Sequence, residues 1–426
     1  MIDIKLILEK PDYVVASLKK KLWDFDPKPI IDLSARRLEL LKKVEASKAE
    51  QNRLSATVPA VKKEGGDVKA IFASVKALAA QTKEEEEELK KIEAEIRSLV
   101  EVLPNLPDDD LAAGGKEANQ PISSFGEIPQ FDFEPKDHVE LAESLGLIDY
   151  KRAAKISGSG TWIYTNLGAR LEWALLNYFI DTHLKDGYEM ILPPHLLNYD
   201  SGYTAGQFPK FCDDVFYLEG VEPKKFMLPT AETALVNLHR NEFIPLDQLP
   251  RKYFAYTPCY RREAGSYRTE ERGMIRGYQF NKVEMVQYTT QEGSDAAFEE
   301  MVKKAEALLQ GLGLTYRLSK LAAGDCSHSM ARTYDIEVYI PSMKIFKEVS
   351  SVSNARDYQA RRGMMRYKDE DGKTKFVHTL NGSGLATSRV FPALLEQCQQ
   401  KDGSVKIPEV LRKYMDGMEY IYPVKK

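Results

Sequence analysis

Residues 379–390 read T-L-N-G-S-G-L-A-T-S-R-V. Two glycines bracket Ser383, and Arg389 follows just ahead of an apolar run. A glycine-rich turn that opens a helix is a common cradle for phosphate, because the helix N-terminus favours anions. The stretch does not fit G-x-G-x-x-G, since position 387 is threonine, nor does it fit G-x-x-x-x-G-K-[ST]. A helix predicted from near Leu385 places Arg389 about one turn in, at the end that attracts negative charge. Phosphate binding is therefore open to this segment, but not through a P-loop.

Outward from there, the pattern predicts a helix over 168–184 and strands over 252–257, 278–288, 333–340 and 345–351. The strands do not alternate regularly with helices, which favours an antiparallel sheet with helices packed on it over a doubly wound sheet. Three stretches carry chemistry. Between two strands lies C-Y-R-R-E-A-G (259–265), followed by Arg268, Glu270, Glu271, Arg272 and Arg276. Guanidinium groups at a strand end grip phosphate or carboxylate in a two-pronged fashion; a surface hairpin laced with ion pairs fits the same residues. On the next strand, period two puts Phe280, Lys282 and Glu284 on one face and Val283 and Met285 on the other. The first set suits a stacked base and an ammonium, although Phe280 also reads as core and Glu284 as a partner for arginine. Glu348-Val349-Ser350-Ser351 ends a further strand with oxygens of the kind Mg²⁺ prefers.

Residues 33–103 differ in texture. They hold one aromatic, Phe72, and one proline, Pro59. Apolar residues recur at heptad spacing: Leu40, Val44, Leu54, Val58 and Val61, then Ile71, Val75, Leu78, Leu89, Ile92, Ile96, Leu99 and Leu103. Polar Ser47, Gln51, Thr82 and Glu85 interrupt the seam. With Gly65-Gly66-Asp67 as the turn, this predicts an antiparallel helical hairpin of roughly 50 Å per arm at the helical rise per residue. Pro59 is expected to kink or end the first helix. That helix carries Arg36, Arg37, Lys42, Lys43, Lys48, Arg53, Lys62 and Lys63, and the second carries the acidic run Glu84 to Glu88. The cations fit a solvated face or an edge that tracks a phosphate backbone.

The chain has 426 residues and a net charge of −4, so any patch for nucleic acid must be local. Its four cysteines form no C-x-x-C pair and its six histidines no H-E-x-x-H, so no protein-bound zinc is expected. There is no signal-peptide layout and no apolar run of membrane length, which points to a cytoplasmic protein.

Taken in order, T-A-E (230–232), C-Y-R-R-E-A-G, Q-F-N-K-V-E (279–284), E-V-S-S (348–351), Q-A-R-R (359–362) and H-T-L-N-G-S-G-L-A (378–386) resemble the seryl-tRNA synthetase family. The resemblance covers nearly the whole chain. It implies an α+β fold: a class II synthetase antiparallel β-sheet flanked by helices, with a long N-terminal helical hairpin. The implied domains are a tRNA-binding domain (1–104, hairpin about 33–103), a linker (105–125) and a catalytic domain (126–426). A homodimer would form through the helix near 168–184 and residues 187–194. The implied activity joins serine to ATP as seryl-adenylate and transfers it to serine tRNA, whose long variable arm would meet the hairpin; selenocysteine tRNA is a further possible acceptor.

The resemblance also implies roles. Arg261, Glu348 and Arg389 would be catalytic, with Arg261 bridging the serine carboxylate and the α-phosphate. ATP would lie against Arg261, Arg262, Glu263, Phe280, Glu348, Val349, Ser350, Ser351 and Arg389, with adenine on Phe280. Glu348 and Ser351 would hold Mg²⁺. Thr230, Ala231, Glu232, Glu284 and Ser383 would line the serine pocket, and the glycines beside Ser383 would let backbone and substrate come close. The chain departs from the family at Thr387-Ser388, where valine-glycine is common, and at Pro392 and Pro59.

Overall fold

The structure, a computed structural model, describes residues 1–263 and 273–424. Ala264, Gly265, Arg268, Glu270, Glu271 and Arg272 lie outside the described residues. The chain divides into two compact units, one of residues 2–19 and 23–103, the other of Met1, 20–22 and everything from Pro104 onward.

The first unit is dominated by two helices, α1 (Lys28–Lys63) and α2 (Lys69–Glu101). Gly65, at φ +75°, makes the turn between them, a conformation that glycine adopts without strain. The seam is tight where Leu40 and Val44 meet Ile92, Ile96 and Val100, all buried. Towards the turn it loosens: Ser47 Oγ donates to Glu85 Oε2 at 3.4 Å, and Leu54, Val58, Val61, Ile71 and Val75 are only half-buried. Pro59 does not end α1, which runs on to Lys63. Proline removes a single N–H from the ladder, and at this exposed position the helix carries that loss.

The second unit is built on one eight-stranded sheet. Its strands are β1 (Gln120–Phe125), β2 (Glu189–Met190), β3 (Arg251–Tyr260), β4 (Gln279–Thr289), β5 (Tyr316–Lys320), β6 (Arg332–Ile340), β7 (Ile345–Asn354) and β8 (His378–Ala386). Their spatial order is β1-β5-β6-β7-β8-β4-β3-β2. Every pairing is antiparallel except the short edge β2–β3. Helices α3 (Asn166–Lys185), α4 (Ser294–Leu312) and α5 (Thr387–Gln397) cover one face. Leu171, Leu175 and Phe179 of α3, Phe298 and Met301 of α4, and Val390 and Phe391 of α5 share one core with Val283, Met285, Ile336, Val352 and Leu380 from the sheet. The other face is left to carry the site.

Two expectations change here. The stretch 378–386 is not a turn but a central strand, paired to β4 on one side and β7 on the other, and the helix begins at Thr387 rather than Leu385. Its glycines serve the helices rather than a substrate: a Cβ on Gly382 would lie 2.9 Å from Met301 Sδ, and one on Gly384 would lie 2.2 Å from His183 Nε2. The stretch 105–125, expected as a linker, is pinned. Asn105 N–H donates to His328 O, Asp108 pairs with Arg332 and Arg356, Leu111 is buried, and 120–125 is the edge strand β1. Its proline, glycine and aspartate content reads as a loop, yet the aspartates find arginine partners on the sheet.

Candidate active site

The site grows from the alternation of β4. Phe280, Lys282 and Glu284 share the face away from the helices, and the pairing with β8 sets Ser383 opposite Glu284. Lys282 and Glu284 are both buried and form an ion pair at 2.5 Å. Lys282 Nζ also donates to Thr230 Oγ1 at 2.8 Å, and Ser383 Oγ donates to Glu284 Oε2 at 3.4 Å. A buried charge needs such partners, since an unpaired one is strongly destabilising. Glu232 has a different supporter: the Gln359 side-chain amide donates to Glu232 Oε1 at 2.8 Å, while Gln359 Oε1 accepts from Thr379 Oγ1 at 2.6 Å. Burial, and then the charge of Glu284, push the Glu232 carboxyl up to about 7.

At the other end guanidinium groups gather. Arg261 Nε donates to Pro229 O at 3.2 Å, and the Arg261 guanidinium lies over the Phe280 ring, 5.1 Å from its centroid. Arg276 pairs with Glu263 at 2.6 Å. Arg389, two residues into α5, donates to Glu348 O at 2.7 Å, and its Nη1 lies 3.5 Å from Glu348 Oε2. Ser351 Oγ donates to Asp335 Oδ1 at 2.6 Å and stands 3.1 Å from Glu348 Oε1. The two carboxyls are driven apart in acidity. Burial, and then Glu348, push Asp335 well above the usual range. Burial raises Glu348 as well, but Arg389, Ser351, Arg261 and Lys282 outweigh it and hold that carboxyl low. An ionised carboxylate beside a hydroxyl is a donor set that fits a hard divalent cation with further oxygens from phosphate and water.

One cleft is lined by Arg261, Glu263, Phe280, Lys282, Glu348, Val349, Ser383 and Arg389, together with Ile275, Arg276, Gly277, Ala386 and Ser388. Thr230 and Glu232 join it through Lys282 and Glu284. Other expected site residues face elsewhere. The Arg262 side chain donates to Asp213 O at 3.0 Å. Ala231 packs in a hydrophobic cluster, and Ser350 Oγ is buried, donating to Ser383 O at 2.6 Å. Lys282, Arg276, Ser388, Asp335 and Gln359 belong to the arrangement without having been assigned a role from the sequence. Lys282 was visible on the right face of its strand and Gln359 in Q-A-R-R, but neither pattern discloses a partner.

The chain resembles known proteins over nearly its whole length. Residues 1–107 match the family model described as the seryl-tRNA synthetase N-terminal domain, and residues 217–398 match the tRNA synthetase class II core domain (G, H, P, S and T). The chain is 58% identical to a protein of Clostridium acetobutylicum named serine–tRNA ligase 2, over 97% of this chain and 99% of that one. It is 43% identical to the serine–tRNA ligase of Thermodesulfovibrio yellowstonii, over 99% and 100%. Among solved structures, seryl-tRNA synthetase from Pyrococcus horikoshii complexed with ATP superposes with a TM-score of 0.93 at 32% identity, covering all of both chains. Cytoplasmic serine–tRNA ligase from Naegleria fowleri with AMP does so with a TM-score of 0.88 at 25% identity, over 100% and 99%.

Proposed function

We infer the chemistry from one premise: the chain belongs to the seryl-tRNA synthetase family. It is a class II ligase that activates serine with ATP to seryl-adenylate and then passes serine to the 3′ end of tRNA. The nucleophiles are substrate groups, first the serine carboxylate and then a ribose hydroxyl. The protein therefore acts by alignment and by stabilising charge.

The observation that supports a division of roles is the polarity of the cleft, with buried carboxyls at one end and guanidinium groups at the other. In this reading Glu284, Glu232, Thr230 and Ser383 receive the amino acid, Glu284 taking the ammonium or the hydroxyl. Arg261 stands between the two ends, where a carboxylate oxygen must approach the α-phosphorus, and it neutralises the charge that builds as pyrophosphate leaves. Glu263 and Phe280 take the adenosine, and Arg389 the phosphates. Glu348 and Ser351 would hold Mg²⁺, which when bound supplies charge neutralisation to the phosphates. The serine hydroxyl would find buried polar groups waiting for it, and alanine would leave them unpaired, a discrimination on the order of 10⁴.

The arm formed by α1 and α2 is assigned to the tRNA, and α3 with residues 187–194 to a second copy of the chain. Trp173, Leu184 and Leu192 on that surface are exposed, which supports a homodimer. No helix among the described residues is long and apolar enough to cross a membrane; membership of a tRNA-charging family supports the reading of a cytoplasmic enzyme.

The test is ATP–pyrophosphate exchange over a panel of amino acids, then charging of total tRNA. Serine alone should support exchange. Arg261→Ala should lower it about a hundredfold or more, the range seen when a preorganised charge-stabilising donor is lost. Near-normal exchange by that variant would remove Arg261 from its role.

A further inference from the structure

Behind the cleft, three elements meet at a single buried carboxyl. Glu172, on α3, is 3% exposed. Its Oε1 accepts from Thr387 Oγ1 at 2.6 Å and from Asn281 Nδ2 at 2.8 Å. Thr387 is the first residue of α5, next to Ser388 of the cleft and two before Arg389. Asn281 lies on β4 between Phe280 and Lys282, with its side chain turned to the helices as alternation requires. The two donors are joined to each other as well, since Thr387 Oγ1 lies 3.2 Å from Asn281 O. Tyr256 OH, from β3, donates to Asn281 Oδ1 at 3.2 Å. One oxygen thus fixes the start of α5 against the middle of β4.

We propose that Glu172 is a positioning residue for the nucleotide half of the site: through Asn281 and Thr387 it sets the distance between Phe280 and Arg389. The proposal rests on the reading of those two residues as the walls that take ATP. It gives a reason for threonine at position 387, where the family resemblance leads one to expect valine, because valine would fill the space and donate nothing to the carboxyl. Burial pushes the Glu172 carboxyl up to about 7 against the pull of Thr387 and Asn281, so near neutral pH it is held in part as the uncharged acid, which a glutamine reproduces in shape and in its accepting oxygen. The amino-acid end is not tied to this carboxyl; Lys282, Glu284 and Thr230 are held by one another on the opposite face of β4.

The experiment is serine-dependent ATP–pyrophosphate exchange by the full chain, with KM measured separately for ATP and for serine. Glu172→Leu removes the acceptor that both donors share and leaves Thr387 only the longer contact to Asn281 O; at about 1 kcal/mol for each lost hydrogen bond the KM for ATP should rise roughly tenfold or more. The KM for serine should stay close to wild type. Glu172→Gln should return the KM for ATP to near the wild-type value, and Thr387→Val should raise it by a smaller factor. In the Glu172→Leu background, Thr387→Val should add little. If the two KM values rose together, or neither moved, or glutamine failed to restore ATP binding, the carboxyl would be a packing element and the proposal would fall. Should Glu172→Leu not fold, Thr387→Val decides alone, since it keeps the side-chain shape and removes only the donor; an unchanged KM for ATP would then be the overturning result. A wild-type chain without serine-dependent exchange would instead remove the functional assignment on which the proposal stands.

Discussion

Glu232 and Glu284 face one small volume, and their supporters differ. Glu284 has the ammonium of Lys282 at 2.5 Å, whereas Glu232 has the neutral amide of Gln359. Burial and the neighbouring charge therefore raise Glu232 to about 7, and burial does the same to Glu172. In the unfolded chain both carboxyls ionise near 4.5. Between that value and about 7 the folded chain holds more protons than the unfolded one, so the stability these groups contribute is present in acid and lost as pH rises through 7. Thermal denaturation of the ligand-free wild type should accordingly show a contribution that weakens from pH 5 to pH 8. Glu232→Gln should flatten that slope, by up to about 3 kcal/mol across the window for a shift of this size. An unchanged slope would mean that Glu232 ionises normally in the fold. At this scale the sequence shows charged residues at strand ends but not their supporters. Arg261 stands out because a second arginine and an acid follow it directly, whereas Glu348 and Arg389 stand out only through the motifs of the family resemblance. Gln359 meets Glu232 across 127 residues and Glu172 meets Thr387 across 215, and no local spacing encodes such a meeting.

Among the elements, β8 explains most about how the site is held. It is hydrogen-bonded on both edges, carries Ser383 towards the cleft, and turns Gly382 and Gly384 to the helices. Two glycines around a serine read as a flexible turn when only the local sequence is considered. Their use becomes apparent once α3 and α4 are seen to press against the strand. His183 is fully buried behind Gly384 and cannot swing away, so Gly384→Ala should destabilise the protein by roughly 2–3 kcal/mol, as overpacking of a close-packed interior does. A denaturant titration of Gly384→Ala checks this, and an unaltered midpoint would show that α3 yields. Strands β3, β4, β6 and β7 and helix α3 are legible because period two and period 3.6 persist over their length, whereas β1, β2, β5 and β8 carry no such pattern. Helix α5 starts two residues beyond the point the hydrophobic pattern predicts, because the bulge in the β8–β4 pairing between Ser383 and Ala386 leaves no mark in that pattern. Residues 105–125 looked like a linker because burial there rests on aspartate–arginine pairs rather than on apolar periodicity.

For the whole molecule, the division into two units suggests a division of labour that deletion can test. A chain lacking residues 30–102 should keep serine-dependent pyrophosphate exchange within a fewfold and lose the charging of tRNA. Charging at the wild-type rate by that chain would take the arm out of RNA recognition. The hairpin itself was legible from heptads and one glycine pair; what its cations do was not, because spacing along one helix does not show what faces it from the other. Arg36, Arg37 and Lys48 pair with Glu88, Glu93 and Glu86 of α2, and Arg53 pairs with Glu50. Among the described residues no ion pair holds Lys42, Lys43, Lys62 or Lys63. Half of the apparent basic edge is thus already neutralised from within. Binding of a polyanion draws much of its driving force from the small cations it sheds where protein cations take their place, and an arm whose cations already face its own carboxylates displaces few of them. Its grip on RNA would then come more from fit than from attraction, and salt would weigh on it less than a count of its cations implies.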